Sequence, residues 1–144
     1  MKGNLEHMQK EELTRDPKLT NPLVLAFLGD ATYAHCVRYH LIARGMVKPH
    51  QLHKEANRYV SAKAQAQILL ALLPTLTEEE TGVVKRGRNA KSGSTAKNAD
   101  IIEYRHATAF EALIGYLYLS GREERLAEIV QQAFAIVEGV SGHE

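Results

Sequence analysis

Apolar residues recur along this chain at three- and four-residue spacing, and no segment alternates with period two, which predicts an all-α fold. The pattern is clearest near the end, where Leu126, Ile129, Val130, Ala133, Phe134 and Val137 form one stripe and Gly139 closes the helix. Asn21-Pro22 marks a helix start, since Asn caps orphan amides and Pro at the first helical position loses no bond. That helix is expected to run to about Ala43, before Arg44-Gly45. A shorter helix is expected from Pro49 to Tyr59, and Ser61 then caps an Ala/Gln/Leu-rich helix ending at Pro74. Thr77 with Glu80 is a capping box. Its helix runs into a stretch where Gly87 and Gly93, with nearby Ser and Asn, are expected to break regularity. The next helix spans about Asn98–Asp100 to Ser120. Residues 1–20, polar and mixed in charge, read as a weakly ordered arm, and residues 21–140 as one domain.

A chain of 144 residues can bury a core without staples. Cys36, its single cysteine, cannot form an internal disulfide. The first twenty residues lack the apolar stretch of a secretory leader, and the apolar runs are interrupted well short of a membrane span. A reducing, cytoplasmic setting without a membrane partner is expected. The net charge is only +1, yet Lys85, Arg86, Arg88, Lys91 and Lys97 lie close together with no acid among them. Such a stretch is either a focused electrostatic footprint for a polyanion or a solvated loop, and charge alone does not choose.

The chemistry concentrates in two otherwise apolar helices. In the first, Leu23, Ala26, Phe27, Ala31, Ala34 and Val37 read as a core-facing stripe, with Asp30 among them. In the other, Ala107, Phe110, Leu113, Ile114, Leu117 and Tyr118 surround Glu111. A carboxylate in apolar surroundings is unfavourable unless it is paired or holds a metal. Two readings are open: the acids converge on a shared cation, or each is a rim residue paired with an arginine such as Arg38 or Arg105. Gly29 and Gly115 sit inside these helices, where glycine costs about 1 kcal/mol against alanine. Close helix–helix approach would compensate, and would bring the acids together. Hard oxygen ligands with room for water favour Mg²⁺, or Mn²⁺ in its place. Histidine spacings (His50 with His53, His35 with His40) match no zinc motif, and His106, one turn before Glu111, reads as half-buried or as touching the site.

Read together, these neighbours carry a resemblance. Phe27-Leu28-Gly29-Asp30-Ala31 resembles the signature of the ribonuclease III family, and Phe110-Glu111-Ala112-Leu113-Ile114-Gly115 resembles its second acidic motif. The likeness extends from about Asn21 to Gly139. Two departures stand out: the larger enzymes carry an acid where this chain has Ala26, and another where it has Thr108. A C-terminal double-stranded-RNA-binding domain is not expected in the few residues after Gly139. With the contexts Arg105-His106-Ala107-Thr108-Ala109-Phe110 and Lys85-Arg86-Gly87-Arg88-Asn89, both departures resemble the short bacterial branch of the family.

The resemblance implies a homodimeric, Mg²⁺-dependent endoribonuclease that cuts double-stranded RNA, leaves 5′-phosphate and 3′-hydroxyl ends, and matures the ends of large-subunit ribosomal RNA precursor. Asp30 and Glu111 would be catalytic and hold the metal. Phe27 would pack across the dimer interface, its alternative being an ordinary core residue. Lys85, Arg86, Arg88, Lys91 and Lys97 would grip the duplex, with Arg58 and Lys63 either extending that track or simply solvated. A ribosomal protein presenting the substrate is a further candidate partner. Two other readings compete: a catalytically inactive ribonuclease III-like RNA-binding module, and a helical dimerisation module without a nucleic-acid role.

Overall fold

The structure, a computed structural model, describes residue 9, residues 11–90 and residues 98–139, the side chains of residues 98 and 99 excepted. Among them are six α-helices and no strand: α1 (Pro22–Ala43), α2 (Pro49–Val60), α3 (Ala62–Leu72), α4 (Glu78–Asn89), α5 (Asn98–Leu119) and α6 (Glu123–Glu138), with short 3₁₀ turns at Pro17–Leu19 and Leu73–Thr75. No helix among the described residues is long and apolar enough to cross a membrane. The helix starts follow from their caps. Asn21 Oδ1 accepts from the Leu23 amide at 2.8 Å. Ser61 Oγ accepts from the Ala64 amide at 3.2 Å. Thr77 and Glu80 form the reciprocal capping box.

α5 is the spine, with α1, α3 and α4 packed around it. Ala109, Phe110, Ala112, Leu113, Ile114 and Leu117 are fully buried along it. Tyr33 of α1 meets Phe110 edge to face, ring centroids 4.9 Å apart, and Phe134 of α6 stacks on His40 at 4.3 Å. α6 is also tied down by charge. Arg125 grips the buried Glu80 through Nε and Nη2 at 2.8 and 2.9 Å, and Nη2 donates to the Thr75 carbonyl at 3.0 Å. Holding this carboxylate below its ordinary pKa are the hydrogen bonds from Arg125, ahead of those from Thr77.

Two readings of the pattern need correction. α1 does not present Phe27 and Ala31 to the core; Leu25, Gly29, Tyr33, Val37 and Leu41 face inward, and Phe27 is 82% exposed. The helix is apolar nearly all round, so hydrophobicity could not choose its inner face. The glycine chose it. A Cβ on Gly29 would lie 1.8 Å from the Glu111 carbonyl oxygen, and one on Gly115 would lie 2.0 Å from that of Leu25. The two helices therefore cross backbone against backbone. Gly87 likewise does not break α4. It lies buried within the helix, where a Cβ would meet Ala109 Cα at 2.9 Å, so Lys85, Arg86 and Arg88 ride on the last turns of a helix and not on a loop.

Alanine at two helical glycines should act in opposite directions. Gly29→Ala forces the α1–α5 crossing apart and is expected to lower stability by about 3 kcal/mol or more. Gly82→Ala, with nothing within 4 Å of its new methyl, should gain up to about 1 kcal/mol from helix propensity. Urea unfolding of both variants checks the pair; a Gly29→Ala protein as stable as wild type would contradict the backbone contact.

Candidate active site

Asp30 projects from α1 immediately after the glycine that touches α5, and Glu111 projects from α5 beside the carbonyl that Gly29 touches. The crossing thus leaves their side chains little choice but to meet. The two carboxyl groups are within hydrogen-bonding reach of each other, and the Gln65 side chain of α3 reaches Glu111 as well. Asp30 is exposed and Glu111 half-buried, so the pair opens to solvent on the Asp30 side. Neither forms an ion pair with an arginine or lysine among the described residues. The reading of the acids as rim residues held by Arg38 or Arg105 does not describe this arrangement.

Glu111 is pushed up to about 8, first by burial and then by the Asp30 carboxyl at its side; hydrogen bonding from Gln65 opposes both. Two adjacent negative charges repel, so beside Asp30 the neutral form of Glu111 is favoured. A divalent cation relieves the same repulsion. Among the described residues no group of three or more His, Cys, Asp or Glu side chains is placed to hold a metal ion, so an ion held here would have these two carboxylates as its charged ligands. That set fits Mg²⁺, which binds through one or two carboxylates and keeps several waters. One turn before each acid, the positions are plain: Ala26 is buried, and the Thr108 hydroxyl donates to the Tyr104 carbonyl at 2.9 Å.

The other singled-out residues fall elsewhere. Lys85 and Arg86 are exposed and, with Lys18 and Tyr116, line a groove of about 530 Å³ that neither acid lines. Arg88 is half-buried, and Lys91 and Lys97 lie outside the described residues. Arg58 is engaged with Glu55 at 2.7 Å, while Lys63 is exposed. Nδ1 of the His106 ring is 2.8 Å from the Ile102 carbonyl, a local contact. Gln65 was not anticipated, although the signal was present. It occupies the first place of the stripe Gln65, Ile68, Leu69 and Leu72, a polar residue among apolar ones like Glu111, and is 1% exposed.

A model of the Ribonuclease III domain matches residues 23–122. The chain is similar to Mini-ribonuclease 3 of Brevibacillus brevis, 87% identical over 134 residues, covering 93% of this chain and all of that protein. It is 49% identical over 126 residues to Mini-ribonuclease 3 of Streptococcus pneumoniae, covering 86% of this chain and 98% of the other. Among solved structures, a crystal structure of a Fusobacterium nucleatum protein superposes with a TM-score of 0.73 at 32% identity, covering 88% of this chain and 98% of that one.

The raised pKa has a direct consequence for stability. Between the ordinary carboxyl range and about 8 the folded protein holds a proton on Glu111 that the unfolded chain has lost. Without divalent metal, this group's contribution is therefore full below about pH 4, declines as pH rises, and levels off above about pH 8. Thermal melts in EDTA across that range should show the decline in wild type and a shallower one in Glu111→Gln. Identical slopes would contradict the coupling.

Proposed function

The chain belongs to the ribonuclease III family, and from that membership we propose that it is a divalent-metal-dependent endoribonuclease cutting double-stranded RNA, with Asp30 and Glu111 as its catalytic, metal-holding carboxylates. The observation that carries this reading is the convergence of those two side chains, without a basic partner, from helices locked together at Gly29 and Gly115. Bound there, Mg²⁺ would supply an activated water and stabilise charge on the attacked phosphate, giving 5′-phosphate and 3′-hydroxyl ends. The protein's own part is positional. The glycine crossing fixes the separation of the carboxylates, burial keeps Glu111 away from competing cations, and the exposed side of Asp30 leaves room for a phosphodiester.

Binding is proposed to rest on phosphate contacts from Lys85, Arg86 and Arg88, with Lys91 and Lys97 as further phosphate-binding candidates. Duplex RNA is read by shape and backbone more than by sequence. A second copy of the chain is proposed to cover Phe27 and Val24, 82% and 53% exposed. The two-fold axis of a dimer would match that of a duplex, so each subunit cuts one strand. Large-subunit ribosomal RNA precursor is proposed as the substrate, in the cytoplasm, with a ribosomal protein presenting it. Retention of both acids argues against a catalytically inactive RNA-binding module.

Two measurements test the reading. Duplex RNA incubated with Mg²⁺ should be cut by wild type, and Asp30→Asn should lower the rate at least about a hundredfold while still binding the duplex in a gel-shift assay. Unchanged cutting by Asp30→Asn would overturn the assignment, and binding without cutting by wild type would select the inactive module. In sedimentation, Phe27→Glu should weaken self-association by at least about thirtyfold, the effect of losing a central aromatic anchor. Wild-type self-association in that variant would remove Phe27 from the interface.

A further inference from the structure

Gln65 is a buried amide at the floor of an otherwise acidic pair. It sits on α3, one turn after the cap Ser61, and is 1% exposed. Its Nε2 donates to the Val60 carbonyl at 2.9 Å, which fixes which end of the amide is nitrogen. The same side chain reaches Glu111 and favours its charged form, as an N–H donor does. Its Oε1 is buried with no hydrogen-bond partner; among the described residues only the Tyr33 hydroxyl shares that condition. Tyr33 is packed among the rings of Phe110 and Phe134, whereas Gln65 adjoins the carboxylates.

An unpaired buried acceptor is unfavourable, and Oε1 finds no partner among the described residues. In the metal-loaded state Asp30 and Glu111 are ionised and offer only acceptors. The Thr108 hydroxyl donates to Tyr104, and Ala26 has nothing to donate. A hydrated cation held by the two carboxylates would bring a partner for Oε1. Its waters donate, and its charge attracts the carbonyl end of the amide.

We propose that Gln65 is a positioning residue for the divalent ion: its amide N–H holds Glu111 in place from α3, and its Oε1 pairs with the ion's water shell when the site is loaded. In this chain an uncharged oxygen thereby supports a site with few carboxylates. The inference rests on the metal-dependent reading above. It extends the site from two helices to three, with Val60 as the backbone anchor of the third.

The test uses the full chain without RNA, so that metal binding is read apart from activity. Mn²⁺ affinity is measured by the loss of the free-ion electron paramagnetic resonance signal, and melting temperature in EDTA is measured alongside. Gln65→Met removes the oxygen at nearly constant volume. It should weaken Mn²⁺ binding about tenfold or more, as loss of an outer partner does, while the metal-free melting temperature changes little, because the unpaired acceptor and the donor to the Val60 carbonyl are lost together. In RNA cleavage at limiting Mg²⁺, kcat should fall with KM for duplex unchanged. Gln65→Glu keeps an oxygen at this place and adds charge. It should bind Mn²⁺ at least as tightly as wild type and melt lower without metal, since Val60 loses its donor.

Wild-type Mn²⁺ affinity in Gln65→Met, or weaker binding than wild type in Gln65→Glu, overturns the role. Should Gln65→Met not fold, the Gln65→Glu measurement decides alone. Absence of Mn²⁺ binding by the wild-type protein would instead strike the metal reading itself, so the two failures are distinguishable.

Discussion

Two backbones in contact organise this molecule. At the crossing of α1 and α5, Gly29 and Gly115 each occupy a place where a methyl group would lie about 2 Å from a carbonyl oxygen of the opposite helix. Side chains normally hold packed helices 8–10 Å apart; removing them at the crossing admits a closer approach, and short side chains flanking the crossing then suffice to meet. Asp and Glu have one and two methylenes. On helices at ordinary separation the same residues could point at one another without touching.

That closeness explains why the acids behave as a unit. Among the described residues neither pairs with an arginine or lysine, and Glu111 is pushed up to about 8, first by burial and then by Asp30 at its side. The contrast with Glu80 is instructive. Glu80 is more deeply buried, yet its carboxylate stays charged because Arg125 clasps both of its oxygens and the Thr77 amide donates to it. One buried acid is neutralised by the fold and carries structure; the other is left wanting a cation, and ribonuclease III-type chemistry calls for one.

Most of the architecture was legible in the sequence because its punctuation is local. Asn21-Pro22, Ser61, the Thr77–Glu80 box and Gly139 act within a single turn, and each stands at a helix end in the structure. The acids were legible for the opposite reason, as residues that an apolar stripe does not explain. The inner face of α1 was not, because a helix with Val24, Leu25, Phe27 and Leu28 in succession offers apolar groups in every direction. Only the partner helix distinguishes them. Gly87 was misread as a breaker for a related cause: the local rule for glycine assumes that nothing presses on it, and here Ala109 does. The Arg125–Glu80 clasp joins residues far apart in sequence, beyond the reach of any periodicity. Gln65 was within reach, since it breaks a stripe as Glu111 does, but an uncharged side chain draws less notice.

The seating of Gly87 on Ala109 links the basic turn of α4 to the spine only two residues from Glu111. Arg86 and Arg88, carried on that helix, are therefore held relative to Asp30 and Glu111 in a way that residues on a tethered loop would not be. If a duplex is gripped at those arginines and cut at the two carboxylates, as proposed, the span between grip and blade is fixed by the α4–α5 contact and would set the point of scission as a ruler does.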